Sequence, residues 1–488
     1  MTRDEALALY NAGSAAVAEA LCELSNTVEA QRKQIKDLQI KIAKLSKNSS
    51  NSSKRPSSDD ITKKPKDTKK DSKKGDRKVG GQPGHDRNVR DPFTEDEIDF
   101  FHQHILTSCP VCDGQVDLLD LPPCIIQQME LGDAPIIKHE HRSYPVWCEK
   151  CQQIHYMSFP ADVVKQGLFK ARLTATVAYM KNVCHASFST IRKFIRDVLG
   201  ETVSRGYLRK VIEKVSQSLE APYTELLNRL PFERIVNVDE TGHKENGDRF
   251  WTWVFKAEMY VLFKIDKSRG SKVLIEVLGK EFDGVLGCDY FSAYRKYMKD
   301  FDVRIQFCIA HLIRDIRFLM TIPDKETKAY GQRLLDAVRS MFKIIHYRDA
   351  MTTEEFTYAL EKAKTNIMTE ALQDVPSRLN QFGKETKREP KNMADRFRTH
   401  GKAYFEFITT PEIDPTNNVA EQAIRFIVID RHVTQGTRSQ NGRKSNERIW
   451  TVIATCALQG RSAFDFILQA VTAYFKSEPA PSLVPDTS

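Results

Sequence analysis

Three acids stand in settings that suit metal chemistry. Asp239 closes the apolar run RIVNVD, Asp289 closes GVLGCD, and Glu421 follows Asn417 and Asn418 at the start of a helical stretch. The first two are expected at the ends of buried strands, at the rim of a sheet where carboxylates from neighbouring strands converge. Two such acids and one helix acid can hold two divalent ions about 3.5–4 Å apart. One ion lowers the pKa of an attacking water or hydroxyl and the other stabilises the leaving oxygen of a phosphodiester. Mg2+ or Mn2+ suits these hard oxygen donors. The chain carries 65 acids, so residue type alone does not single out this trio; the order of elements around it does.

A second chemistry is written in cysteine. Cys109-Pro-Val-Cys112 and Cys148-Glu-Lys-Cys151 are two CxxC hooks, the spacing that lets both thiolates of a turn reach one tetrahedral zinc ion. The 35 residues between them exceed the usual ribbon spacing, and Cys124, His102, His104, His139 and His141 are spare ligands. Four thiolates leave no open position, so the expected ion is structural Zn2+; a redox dithiol is the other chemistry such a pair supports. Ten scattered cysteines in 488 residues do not make a disulfide scaffold, and a reducing compartment is expected.

The elements that must position these groups follow from pattern. Leu21, Leu24, Val28, Gln31, Ile35, Leu38, Ile42 and Leu45 alternate steps of three and four, the a/d seam of a coiled coil over residues 14–46. A homodimer or higher oligomer through that helix is the expectation; a lone helix packing on its own domain has the same periodicity. Residues 47–94 form a polar strap, in which fourteen basic side chains face six acidic ones between Lys47 and Arg90, nearly all of the net charge of +9. That block attracts a polyanion such as nucleic acid or reads as a solvated linker. Residues 95–165 read as short strands around the CxxC hooks. Residues 166–230 read as three helical segments, 169–183, 187–199 and 204–229, with Ser204 as an N-cap. The third would present Arg205, Arg209, Lys210 and Lys214 to a duplex in the manner of a helix-turn-helix, or simply pack.

Residues 231–440 change period. RIVNVDETG, RFWTWVFKAE and MYVLFKID read as strands, the last two as a hairpin. A helix (SKVLIEVLGK), a strand, a helix and a strand follow, then a charged helical insertion at about 325–410, a helix from NNVAEQAIR, and a C-terminal helical segment over 441–488. The fold class expected is multidomain α+β, with a five-stranded sheet. Arg431, Arg438, Arg443, Lys444 and Arg448 read as a basic loop able to track phosphates, or as a solvated one. No apolar run approaches the roughly 18–20 residues that span a bilayer, and MTRDEALALYNAG lacks a signal-peptide layout; a cytoplasmic protein with no membrane partner is expected.

The strand and helix order matches a ribonuclease H-like core, and from here the chain resembles the bacterial DDE transposases of the insertion sequence sixty-six family. NSSNSSKRPSSD, VGGQPGH, CPVC…CEKC, SRGYL, VDETG, CDYFSAY, CIAHLIRDIRFL and NNVAEQAIR occur in family order from about residue 17 to 460. The resemblance implies a zipper-like helix, a zinc module, a helical DNA-binding part and a catalytic core whose acidic triad falls on Asp239, Asp289 and Glu421. It implies binding of double-stranded DNA at the terminal inverted repeats, metal-dependent cleavage, and strand transfer by the 3′-OH into target DNA, with accessory proteins of the same element as further partners. His311 and Arg314 would lie beside the site, or serve as structural helix residues. QAIRFIVIDRHVTQGTR departs from the family after the IR pair, where a proline and a more basic run are expected, which marks a divergent subgroup. A zinc-containing DNA-binding regulator derived from such an enzyme and a hydrolysis-only nuclease of the same fold are the alternatives.

Overall fold

The structure is a computed structural model that describes residues 2–46, 94–98, 135–148, 153–377, 388–410 and 412–484. The chain divides into two units, one of residues 1–60 with 142–488 and one of residues 61–141. Nearly all of the second, and most of the 47–94 strap, lies outside the described residues.

The chain opens with α1 (Arg3–Asn11), capped by the reciprocal Thr2–Glu5 box, and α2 (Ser14–Leu45), the two separated by Gly13 at φ +101°. Helix α2 leans on the rest of its unit through one stripe. Lys36 pairs with Asp324 at 2.9 Å, Lys44 pairs with Glu389 at 2.6 Å, and Ile40 packs on the core between them. At 100° per residue that stripe lies on the side away from the heptad seam. The apolar seam residues, from Leu21 to Leu45, are 37–83% exposed.

Strands β1 (Pro145–Cys148) and β2 (Gln153–Tyr156) pair antiparallel as far as Cys148↔Gln153. Helices α3 (Ala161–Gln166), α4 (Ala171–Asn182), α5 (Phe188–Asp197), α6 (Arg205–Ser218) and α7 (Glu220–Arg229) follow. Ser204 does cap α6, accepting the N–H of Tyr207 at 3.0 Å. The single helix expected over 204–229 is instead two, broken at Leu219. Pro222 has no N–H to offer the Ser218 carbonyl, and its ring crowds it.

The central sheet has five strands, β3 (Ile235–Glu245), β4 (Asp248–Lys256), β5 (Val261–Asp266), β6 (Val285–Cys288) and β7 (Arg304–Phe307), in the order β5-β4-β3-β6-β7. The first three are antiparallel; β3–β6 and β6–β7 are parallel. Asn246 and Gly247, both at positive φ, make the β3–β4 hairpin turn, as an Asn-Gly pair does. The parallel steps are bridged by α8 (Lys272–Leu278) and α9 (Ser292–Phe301). Alternation buries both faces. Val236, Val238, Trp253, Phe255 and Leu262 enter one core with α8, while Phe250, Val254, Val261, Phe263 and Ile265 meet Ala420, Ile424, Ile427 and Trp450 in another.

After β7 come α10 (Ile309–Thr321), α11 (Lys325–His346), α12 (Thr353–Leu372), α13 (Arg388–His400) and α14 (Glu406–Thr409), the last four within the 325–410 stretch expected to be helical. The chain then returns to the sheet with α15 (Asn418–Thr434) and α16 (Gln440–Leu458), and ends with α17 (Ala463–Lys476). Helix α16 also closes the edge of the sheet. Glu447, Thr451 and Thr455, spaced by four, accept the N–H groups of Ile265, Phe263 and Val261, spaced by two, at 2.6, 3.0 and 3.1 Å. Four helical residues rise about 6 Å and two strand residues about 6.6 Å, so the ladders match and the edge offers no open strand.

Candidate active site

Asp239 does not end its strand. Strand β3 continues to Glu245 because its antiparallel pairing with β4 runs that far, whereas the parallel pairing with β6 stops at Asn237↔Gly287. Asp239 lies two residues past that last rung on one strand and Asp289 two residues past it on the other. The two acids therefore leave the parallel pair at the same height.

Alternation fixes which way Asp239 faces. Glu240 points to the α8 side, buried, with Arg269 Nε at 3.0 Å and the Tyr294 hydroxyl at 2.5 Å. Its neighbours of opposite parity face α15. Asn237 Nδ2 donates to Asn417 Oδ1 at 2.9 Å, and Thr241 Oγ1 accepts from Arg431 Nη1 at 3.1 Å. Asp239 stands between them, half-buried, on the face that α15 covers. Gly287 is required here, since a Cβ would collide with the Asn237 amide.

Glu421 enters the same region from the first turn of α15, its N–H bonded to the Asn417 carbonyl at 3.2 Å. Asn417 is the joint. Its Nδ2 donates to the Val238 carbonyl at 2.9 Å and its backbone N–H to Cys308 Sγ at 3.1 Å, so β3, the end of β7 and the start of α15 meet at one residue. Asp289 Oδ1 accepts the N–H of Phe291 at 2.9 Å, the turn from which α9 starts.

Helix α10 supplies the remaining wall. Arg314 Nη2 lies 3.1 Å from Glu421 Oε1, and His311 Nδ1 lies 3.4 Å from the same oxygen. Burial, and then the Arg314 charge, hold the His311 imidazole below its ordinary pKa, against the opposing pull of Asp289 and Glu421. Burial pushes the Cys308 thiol up to about 11, partly offset by the N–H of Asn417. The Cys288 thiol is pushed well up, by burial first and then by Asp289, with Glu240, Cys308 and Asp239 adding to it. Both thiols thus feel the carboxylates gathered around them. Asp239 on β3, Asp289 just past the end of β6 and Glu421 on α15 are each half-buried, and carboxylate oxygens are hard donors.

The basic residues divide. Arg205, Arg209 and Lys210 are exposed on α6. Lys214 is turned inward: its ammonium donates to the carbonyls of Lys165 and Gln166 at 2.8 Å each, closing the end of α3. The basic loop expected near the C-terminus is mostly helix, because only 435–439 separates α15 from α16. Arg431 bonds Thr241 and the Gly242 carbonyl. Arg443 lies 3.5 Å from Glu245, and Arg448 bonds Ser216 and Glu220. Arg438 and Lys444 are exposed. The zinc hooks at Cys109, Cys112 and Cys151 lie outside the described residues, as does the side chain of Cys148.

Three participants were missed from sequence: Asn237, Glu240 and the joint role of Asn417. The signal for Asn237 was an amide inside an otherwise apolar strand, and for Glu240 a second acid following the first; neither states a partner.

Comparison with known proteins adds an independent line. The profile described as the Transposase IS66 family matches residues 166–445, more than half of the chain and a stretch containing all three acids. A family of unknown function (DUF6444) matches residues 5–91. "Uncharacterized protein y4qI" of Sinorhizobium fredii is 22% identical over 353 residues, covering 66% of this chain and 63% of the relative. The chain thus spans less than two thirds of the length of that curated relative. Among the described residues, no helix is long and apolar enough to cross a membrane.

Proposed function

The chain belongs to the IS66 transposase family, and from that premise we propose that it cuts the ends of its own element and joins them to target DNA in one site built on Asp239, Asp289 and Glu421. The carrying observation is the Asn237–Asn417 bond at 2.9 Å, which holds the start of the Glu421 helix against the strand of Asp239. A ribonuclease H-like core is supported by the strand order β5-β4-β3-β6-β7, with an antiparallel half and a parallel half. Two Mg2+ or Mn2+ ions held by the three acids would supply activation of water or a 3′-OH and stabilisation of the leaving oxygen.

The chain's own residues do the rest. Asn417 sets the distance between strand and helix, and the Asx turn at Asp289 fixes the second carboxylate. Neutral His311 and cationic Arg314 line the wall next to Glu421, where Arg314 can meet a phosphate. Arg205, Arg209 and Lys210 of α6 hold the duplex, with Arg438 and Lys444 as further phosphate contacts. The two CxxC spacings support a structural zinc held by Cys109, Cys112, Cys148 and Cys151. The exposed seam of α2 supports a dimer that pairs two DNA ends.

The test is a plasmid carrying the gene and its native flanks, incubated with the full chain and Mg2+ or Mn2+. Cleavage at the element ends by the wild type, lost in Asp239→Asn and Glu421→Gln with DNA binding retained, is the expected result. Equal cleavage by either variant overturns the triad. Joining of pre-cut ends to a second plasmid separates a transposase from a nuclease that only hydrolyses.

A further inference from the structure

We propose that Cys308, His311 and Glu421 form a metal site, sharing Glu421 with the catalytic one, that is selective for a borderline ion such as Zn2+ over Mg2+. Their ligand atoms, one thiol sulfur, one ring nitrogen and one carboxylate oxygen, all lie within 4.8 Å of one another. The His311 Nδ1 to Glu421 Oε1 separation is 3.4 Å, longer than a good hydrogen bond. It matches the edge of a tetrahedral site: two ligands about 2.05 Å from one ion lie about 3.3 Å apart.

The surroundings of the ligands fix their geometry. Cys308 stands at the N-terminus of α10, and its sulfur already accepts the N–H of Asn417 at 3.1 Å. Arg314 Nη2 is 3.3 and 3.4 Å from the two ring nitrogens of His311. A group so nearly equidistant from both lies over the ring face and not in the ring plane. A Cys, His and carboxylate set with one position left open suits Zn2+ or Co2+, whereas Mg2+ has little affinity for sulfur. On binding, the S–H bond is replaced by a sulfur–metal bond and the proton passes to water.

Glu421 is common to this site and to the proposed catalytic one. Zinc there withdraws the third acid and inhibits Mg2+-dependent cleavage; that consequence, unlike the site itself, rests on the function proposed above. The Arg314 guanidinium, 3.1 Å from the same oxygen, opposes any dication, so Arg314→Gln should bind the ion more tightly.

The experiment titrates the full chain with Cd2+ as a zinc surrogate, following thiolate-to-metal absorption, in the wild type, Cys308→Ser and His311→Gln. Because the CxxC cysteines are the same in all three, a difference isolates this site. The expected result is one Cd2+ fewer per chain in each variant. The second arm measures cleavage at fixed Mg2+ against rising Zn2+, each protein relative to its own zinc-free rate. The half-inhibiting Zn2+ concentration should rise at least tenfold in both variants. Equal Cd2+ counts in all three proteins overturn the site, and equal zinc sensitivity overturns its inhibitory role. If the wild type cuts nothing, the transposase reading fails while the Cd2+ count still decides the site.

Discussion

Asn237 and Asn417, 180 residues apart in sequence, share a buried amide–amide hydrogen bond of 2.9 Å, two residues before Asp239 and four before Glu421. Asn417→Ala would leave the Asn237 amide and the Val238 carbonyl without their partner in a buried place. That costs about 1–3 kcal/mol and should lower the melting temperature by several degrees. Gly287→Ala should act on the same joint by driving the Asn237 side chain aside. Both variants are expected to lose most cleavage at temperatures where they remain folded, as circular dichroism and the plasmid assay would show.

Glu447 gives a pH signature. Burial raises its carboxyl to about 7 while it accepts the N–H of Ile265. A folded pKa above the unfolded one means that the native state binds more protons between about pH 4.5 and 7, so this group's contribution is full below that window and is lost as pH rises through it. Glu447→Gln keeps the acceptor without the charge. It should melt higher than wild type at pH 8, by an amount on the order of 2 kcal/mol, and nearly equal to it at pH 4.5. A larger gain at the lower pH would contradict the assignment.

The basic residues of α6 should separate by role. Arg205→Ala and Arg209→Ala are expected to weaken DNA binding and to reduce the slope of log affinity against log salt by about 1 each, with little effect on melting. Lys214→Ala should do the reverse, because its ammonium serves the carbonyls at the end of α3. Fluorescence anisotropy at several salt concentrations, set beside thermal melts, distinguishes the two patterns.

The seam of α2 makes a prediction about assembly. Leu38 is 50% exposed while Ile40, on the other side, packs on the core. Leu38→Glu should convert an oligomer to monomer in light scattering without lowering the melting temperature of the sheet domain. Ile40→Glu should release the helix from that domain and leave oligomerisation unchanged. A wild-type chain that is monomeric at micromolar concentration would remove the coiled coil.

Much of this architecture is legible in one dimension. The shift from helical to alternating period near Ile235, the strand–helix–strand–helix–strand run up to Phe307, the Ser204 cap and the helical insertion are set by near neighbours along the chain, whose side-chain periods of 3.6 and 2 report local conformation directly. The helical period of α2 is of the same kind, as is the break at Pro222, a local signal against a single helix over 204–229.

What only the tertiary structure decided is where those elements meet. Asp239 reads as a strand end because the apolar run stops there, yet the strand continues, since β4 supplies partners through Glu245. Arg431, Arg443 and Arg448 read as a basic surface, yet Thr241, Glu245 and Glu220 take them up. Glu421 is separated from Asp289 by 131 residues and comes back to the sheet through a joint made by two asparagines. Side-chain type and spacing determine what a segment can form and what chemistry it can carry. Which distant groups share an oxygen, a carbonyl or a buried amide depends on the pairing of strands and the docking of helices, and no local period encodes it.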